Sequence, residues 1–287
     1  MKKFKAPKEV VFGLLVVLTS LIIIFGKFES ELDIVVAVNK WRPQNEAINR
    51  DYPLAPFCWD LDGHQIVEHP NCKDRFTQES YCGLQNEVNG AWSSSFLKSD
   101  PSIAAENVKH LLLKRECDTI IIDFEGLSTT QDTLESWLSI FTKELSGKFR
   151  VSYAAYAKNA KVVSNPPANI QNYNFVCKNF HEIWIMTYDY SIPPWTEVGE
   201  LAPLDWVQDV VEYATKFCRK DQIRVGLAAY GYDWKTGKII EEKDYNPRTK
   251  NPSIELVSKR QKKVEVLRSS GIDKFFVWAL GMYDELI

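Results

Sequence analysis

The chain has 287 residues, 45% of them hydrophobic and 25% charged, with a formal net charge of -3. That balance excludes a disordered chain, and the lack of a basic stripe in its body excludes nucleic acid as the main partner. The length fits one barrel domain or two smaller domains.

The N-terminus carries Lys2, Lys3, Lys5 and Lys8 with one acidic residue, Glu9, ahead of an uncharged apolar run from Val10 to Gly26. A cationic flank followed by an apolar run reads as an export signal or a signal anchor with its N-terminus inside. No A-x-A cleavage pattern follows, so an uncleaved anchor is expected rather than a removed signal peptide. The sequence thus divides into a basic flank (1–9), an apolar anchor (10–26), a linker (27–32) and a folded domain (33–287). This predicts a membrane-anchored or secreted protein whose folded domain lies outside the cytoplasm.

Six cysteines fit that placement loosely. Cys72 and Cys82 are near enough to close a short loop, while Cys58, Cys117, Cys177 and Cys218 are scattered, and spacing leaves the pairing open. Neither a CxxC motif nor a Cys/His cluster with zinc spacing occurs, and His64, His69, His110 and His181 are dispersed. No metal and no cofactor is expected.

Taken in order, Asp33–Asn39 (DIVVAVN) reads as a buried strand, Leu54–Leu61 as a second and Leu84–Trp92 as a weaker third. Between Ser99 and Cys117 the period becomes helical. Asp100 is placed to cap, Pro101 suits the first turn, and Ile103, Val108, Leu111 and Leu112 fall near one face. Thr119–Phe124 (TIIIDF) reads as a strand buried on both faces. Thr130–Ser146 is helical, with Leu134, Trp137, Leu138, Phe141 and Leu145 at helical spacing and Gly147 as a stop. Phe149–Ala155 and Glu182–Tyr188 are strands. Leu204–Cys218 is an amphipathic helix with Val207, Val210, Val211, Ala214 and Phe217 inward. Ile223–Tyr230 is a strand, Ile254–Ser270 a helix, and Lys274–Leu280 a final strand. The basic run KRQKK at 259–263 reads as the solvated face of its helix.

About eight strands alternating with helices over about 250 residues match the size of a closed (β/α)8 TIM barrel. An open doubly wound sheet is the alternative, but no G-x-G-x-x-G follows the first strand.

Asp123 and Glu125 sit two apart at the C-terminal end of a buried strand, so the pleat turns both side chains to one face. In a parallel barrel that end opens into the active-site mouth. Two carboxylates in a poorly solvated mouth raise the pKa of at least one, and a carboxylic acid held protonated near neutrality is what cleavage of a glycosidic bond needs. Read without context, the same pair also fits a solvated strand end.

The stretch from Asp118 to Glu125 (DTIIIDFE) resembles the D-x-x-D-x-D-x-E signature on the fourth strand of family 18 glycoside hydrolases. Three further segments resemble that family in matching order: Met186–Asp189 (MTYD), Gly226–Trp234 (GLAAYGYDW) and Val277–Gly281 (VWALG). Leu54–Gly63 (LAPFCWDLDG) is similar to the second-strand region of the spore-cortex-lytic and chitobiase-like branches. The resemblance implies a retaining hydrolase of β-1,4-linked N-acetylglucosamine glycans (chitooligosaccharide, peptidoglycan or N-glycan core) that uses the substrate's own 2-acetamido group as nucleophile. It further implies that Glu125 is the general acid, that Asp123 orients the acetamido N–H, and that Tyr188 holds the acetamido oxygen. Asp189, Trp278 and Tyr230 are implied to bind the sugar, with Trp278 as its platform. The implied partner is an N-acetylglucosamine-containing polysaccharide or oligosaccharide.

The sequence departs from the pattern at three places. Ile121 stands where the signature has a second acidic or Asn residue, so Asp123 is expected to lack that partner and to be harder to ionise. Ala228 replaces a proline. The span from Trp234 to Val277 has room for one loop and one helix, which predicts a shallow groove. Few residues follow the last strand, so a full eighth helix is not expected. Because of Ile121 a second reading stays open, a catalytically weak or inactive glycan-binding protein on the same barrel.

Overall fold

The computed structural model describes residues 31–41, 52–73, 75–76, 79–160 and 166–287. The basic flank, the apolar run and most of the linker lie outside them. Among the described residues no helix is long and apolar enough to cross a membrane.

The chain from Asp33 onward forms a compact unit. Its eight parallel strands are β1 (Asp33–Asn39), β2 (Leu54–Asp62), β3 (Tyr81–Gln85), β4 (Thr119–Asp123), β5 (Arg150–Tyr156), β6 (Glu182–Met186), β7 (Ile223–Ala228) and β8 (Lys274–Trp278). Neighbours in sequence pair in parallel all the way round, and Val36 of β1 pairs with both Val277 of β8 and Leu54 of β2, which closes the sheet. Closure gives a TIM barrel and removes the open doubly wound alternative. Helices α1 (Pro101–Arg115), α2 (Gln131–Ser146), α3 (Tyr173–Asn179), α4 (Leu204–Ala214) and α5 (Val257–Ser269) pack outside, an incomplete set.

Alternation along each strand sets the two faces. On β4, Ile121 joins Val35, Ala37, Phe57, Ala154, Trp184 and Phe276 in the barrel interior. Phe124 points the other way, against Phe96 at 4.3 Å and Trp137 at 6.2 Å between ring centres. An inward 121 and an outward 124 therefore leave Asp123 and Glu125 on the inner side.

An ion cluster fills the floor. Arg224, fully buried, donates to Asp33 Oδ2 at 2.7 Å and to Glu182 Oε2 at 3.1 Å, and Lys274 donates to Glu182 Oε1 at 2.6 Å. Burial opposes ionisation of Glu182, but Arg224 and Lys274 outweigh it and hold that carboxyl below its usual range.

Five sequence expectations are corrected. The third strand is Tyr81–Gln85, not Leu84–Trp92; the latter stretch contains a separate hairpin, Glu87–Val88 with Ala91–Trp92. Its turn is Asn89–Gly90, with φ of 52° and 79°, the backbone that an Asn-Gly hairpin turn requires. Ile103 is exposed, and Ala104 and Ala105 take the inner face of α1 instead. Phe217 lies beyond the end of α4 and is 41% exposed. In the basic run, Arg260 and Lys263 are buried. Arg260 donates to the backbone oxygens of Glu285 and Leu286, fastening that segment to the helix, and Lys263 pairs with Glu255. Finally, Cys72 and Cys82 do not pair: the disulfides are Cys58–Cys72, Cys82–Cys117 and Cys177–Cys218. Three disulfides fit an extracytoplasmic domain.

Candidate active site

A cavity of about 460 Å³ opens at the C-terminal ends of the strands. Asp123, Glu125, Tyr188, Asp189, Tyr230 and Trp278 all line it, so the six residues singled out in the sequence come together at one place. Tyr156, Ala157, Met186, Ile192, Trp206, Tyr232 and Ile239 complete the wall.

Asp123 ends β4 and is 3% exposed. Its Oδ2 accepts a hydrogen bond from Gln85 Nε2 at 2.9 Å, across the pairing of Gln85 with Asp123 between β3 and β4. Its Oδ1 has no partner among the described residues. Asp123 is therefore not left without a partner by Ile121; the partner comes from the next strand. Burial pushes its pKa up to about 6, while the Gln85 amide and the Lys40 cation pull it down.

Glu125 is pushed further, to about 8, by burial first and then by the charge of Asp123. The Tyr156 hydroxyl hydrogen-bonds the Glu125 side chain and opposes the rise. The backbone of Glu125 is clamped by Asn86, which accepts from Glu125 N and donates to Glu125 O, each at 2.8 Å. The two carboxyls thus have unlike environments, and at neutral pH one favours its ionised form and the other its neutral form.

Opposite them, Tyr188 follows β6 and its hydroxyl pKa lies well above the usual value, through burial and the nearby carboxylates. Gly226 makes room for it: a Cβ there would stand 2.9 Å from Tyr188 Cε1 and 2.8 Å from the backbone oxygen of Ile185. Asp189 adopts a left-handed backbone, φ 59°, which turns its side chain toward β7. There its Oδ1 accepts from the hydroxyls of Tyr230 at 2.8 Å and Tyr232 at 2.9 Å. Burial raises the Asp189 pKa and these two donors lower it. Trp278 ends β8 and packs edge-on to Phe57 at 5.3 Å.

Sequence reasoning passed over Gln85, Asn86, Tyr156, Trp206 and Tyr232. Tyr232 carried a signal, since it lies two residues from Tyr230 on an extended segment and shares its face. Tyr156 lies one residue past the expected end of its strand. Gln85 and Asn86 were absorbed into a strand drawn too long, and Trp206 reaches the cavity from the first turn of α4.

The Glycosyl hydrolases family 18 model matches residues 89–283, more than half of the chain. Over 132 residues the chain is 26% identical to the uncharacterized glycosylase YvbX of Bacillus subtilis (strain 168), covering 44% of this chain and 38% of that protein's length. In structure it is similar to a chitinase from Chromobacterium violaceum ATCC 12472, with TM-score 0.73 and 19% identity over 88% of this chain and 96% of that one. It is also similar to the spore cortex-lytic enzyme SleL of Bacillus megaterium QM B1551, with TM-score 0.71 and 17% identity over 88% and 71%. At such identities the likeness to these structures is one of fold. The family match covers β4, β6, β7 and β8 and the residues that line the cavity from them, and by it the chain belongs to glycosyl hydrolase family 18.

Proposed function

We propose that this protein hydrolyses β-1,4-linked N-acetylglucosamine glycans, with retention of configuration, by a substrate-assisted route. One observation carries the reading: Asp123, with a buried carboxylate oxygen that has no partner among the described residues, and Glu125, pushed to about 8, line one cavity. In the first step Glu125 gives its proton to the glycosidic oxygen as the C1–O bond breaks, and the acetamido carbonyl oxygen of the same sugar bonds to C1. Asp123 Oδ1 accepts the acetamido N–H and offsets the positive charge that develops there. The Tyr188 hydroxyl donates a hydrogen bond to the acetamido oxygen and aims it at C1. In the second step the Glu125 carboxylate takes a proton from water, the water oxygen bonds to C1, and the acetamido group is restored. Asp189, fixed by two tyrosine hydroxyls, binds the sugar together with Tyr230, and the Trp278 ring supports its apolar face.

A general acid contributes typically 10²–10⁴-fold, so Glu125→Gln is expected to reduce release from an aryl N-acetylglucosamine oligosaccharide by at least about a hundredfold. Equal release by wild type and variant contradicts the reading. Tight binding of chitooligomers with no product favours the glycan-binding alternative instead.

The natural polymer is proposed as chitin-type or peptidoglycan glycan, a choice supported by likeness to both a chitinase and a cortex-lytic enzyme. The lysine-flanked apolar run at 10–26 is proposed to tether the barrel to a membrane, with the disulfide-bonded domain outside. Retention of the full chain in the membrane fraction after carbonate washing supports the tether, and release into the supernatant contradicts it.

A further inference from the structure

The layer of the barrel beneath Asp123 holds no acidic side chain to share a proton with it. Ile121, one pleat deeper on β4, packs with Phe57 and Ala154. Ser152, beside Ile121 across the β4–β5 register, offers a hydroxyl without a partner among the described residues. What fixes the carboxyl instead is the amide of Gln85, itself buried, reaching 2.9 Å across the β3–β4 pairing. An amide donates a hydrogen bond and cannot accept or release a proton at ordinary pH.

We propose that Gln85 is the positioning residue of this site, anchoring Asp123 through Oδ2 so that the carboxylate stays charged while Oδ1 is left without a protein partner among the described residues. This rests on the function proposed above and deepens it. With an acidic residue at 121, Asp123 would draw on a shared proton; with Gln85 its hydrogen-bond partner shares none. The groups that face it are Lys40, whose charge favours its ionised form, Asp60 and Glu125, which oppose it, and the hydroxyls of Tyr153, Tyr156 and Tyr188. Lys40 is itself buried and bound to Asp60 at 2.6 Å and Glu87 at 3.1 Å, so its charge is fixed in place above β2 and β3.

The test uses the full chain in two variants, Gln85→Leu and Gln85→Glu, with two readouts. The first is the pH profile of kcat/KM on an aryl chitooligoside. The second is carboxyl 13C titration of Asp123, its signal identified by loss in Asp123→Asn. In Gln85→Leu the Asp123 midpoint is expected to rise by a pH unit or more, roughly tenfold in proton affinity. The acid limb of kcat/KM moves up with it, and kcat falls at least about tenfold with little change in KM. In Gln85→Glu the new carboxyl donates only while protonated, so activity returns at acid pH and Asp123 titrates in two coupled steps. Unchanged Asp123 midpoints in both variants overturn the inference, even if activity falls. Absence of turnover by the wild type contradicts the proposed function, while the carboxyl titration still decides the role of Gln85.

Discussion

Asp123 and Glu125 differ in chemistry because their surroundings differ, although both stand at the end of one strand. The amide of Gln85 and the charge of Lys40 favour an ionised Asp123, whereas Glu125 has burial and a neighbouring anion against it. On the proposed mechanism, activity needs Asp123 deprotonated and Glu125 protonated. It is therefore expected to be lost as pH falls through about 6 and as pH rises through about 8, giving a bell measurable as kcat/KM against pH. The stability of the fold has the opposite interest. A carboxyl whose pKa rises on folding supports the folded state only while protonated, and that support fades as pH climbs from its ordinary value of 4.5 through about 8. Glu125→Gln removes this burden. Thermal unfolding should show the variant gaining stability over wild type, by more than about 1.4 kcal/mol at pH 9, the worth of one pKa unit, and by little at pH 5. An equal gain at both pH values would remove burial of the charged form as the cause.

The site is assembled by strand ends, and the strand ends were the part of it written most clearly in the sequence. TIIIDFE announces a buried strand that stops on carboxylates, because an unbroken β-branched run ends where the first ionisable side chain appears. What lay outside reach was register. Gln85 faces Asp123 only because β3 and β4 pair in one of several possible offsets, and no local pattern selects that offset. The same is true of Asn86, whose side chain clamps Glu125 from another strand. Asn86→Ala is expected to leave the fold intact and to lower kcat by about tenfold or more, since a misplacement near 1 Å is enough for large losses; steady-state kinetics beside circular dichroism checks this. On β7, Gly226 is required for space. Gly226→Ala should displace Tyr188 and raise KM and lower kcat together, whereas an unaltered enzyme would mean that the strand shifts without reaching the tyrosine.

At the scale of the molecule, the barrel is a closed tube with an ion cluster at its floor, an apolar middle and a polar mouth. The periodicity placed seven of the eight strands because each is buried and reads as an apolar run, and it misplaced the third, Tyr81–Gln85, whose Gly83 and Gln85 break such a run. It failed for Arg260, Lys263 and the disulfides, where the partner is set by packing and composition says only "basic" or "cysteine". The floor cluster is expected to be structural. Arg224→Met takes the shared buried cation from Glu182 and Asp33 and leaves Glu182 with Lys274, so the loss is expected below the about 3–5 kcal/mol of an uncompensated buried charge; urea unfolding should show it, while the pH limits of any remaining activity stay in place.

The account as a whole turns on the substrate's acetamido oxygen acting as the nucleophile. The most direct measurement compares turnover of aryl glycosides bearing N-acetyl and N-trifluoroacetyl groups on the sugar in the cavity, since fluorine weakens that oxygen without changing the leaving group. The proposed route predicts a fall of about a hundredfold or more, equivalent to roughly 3 kcal/mol of barrier. Equal rates for the two substrates would contradict it.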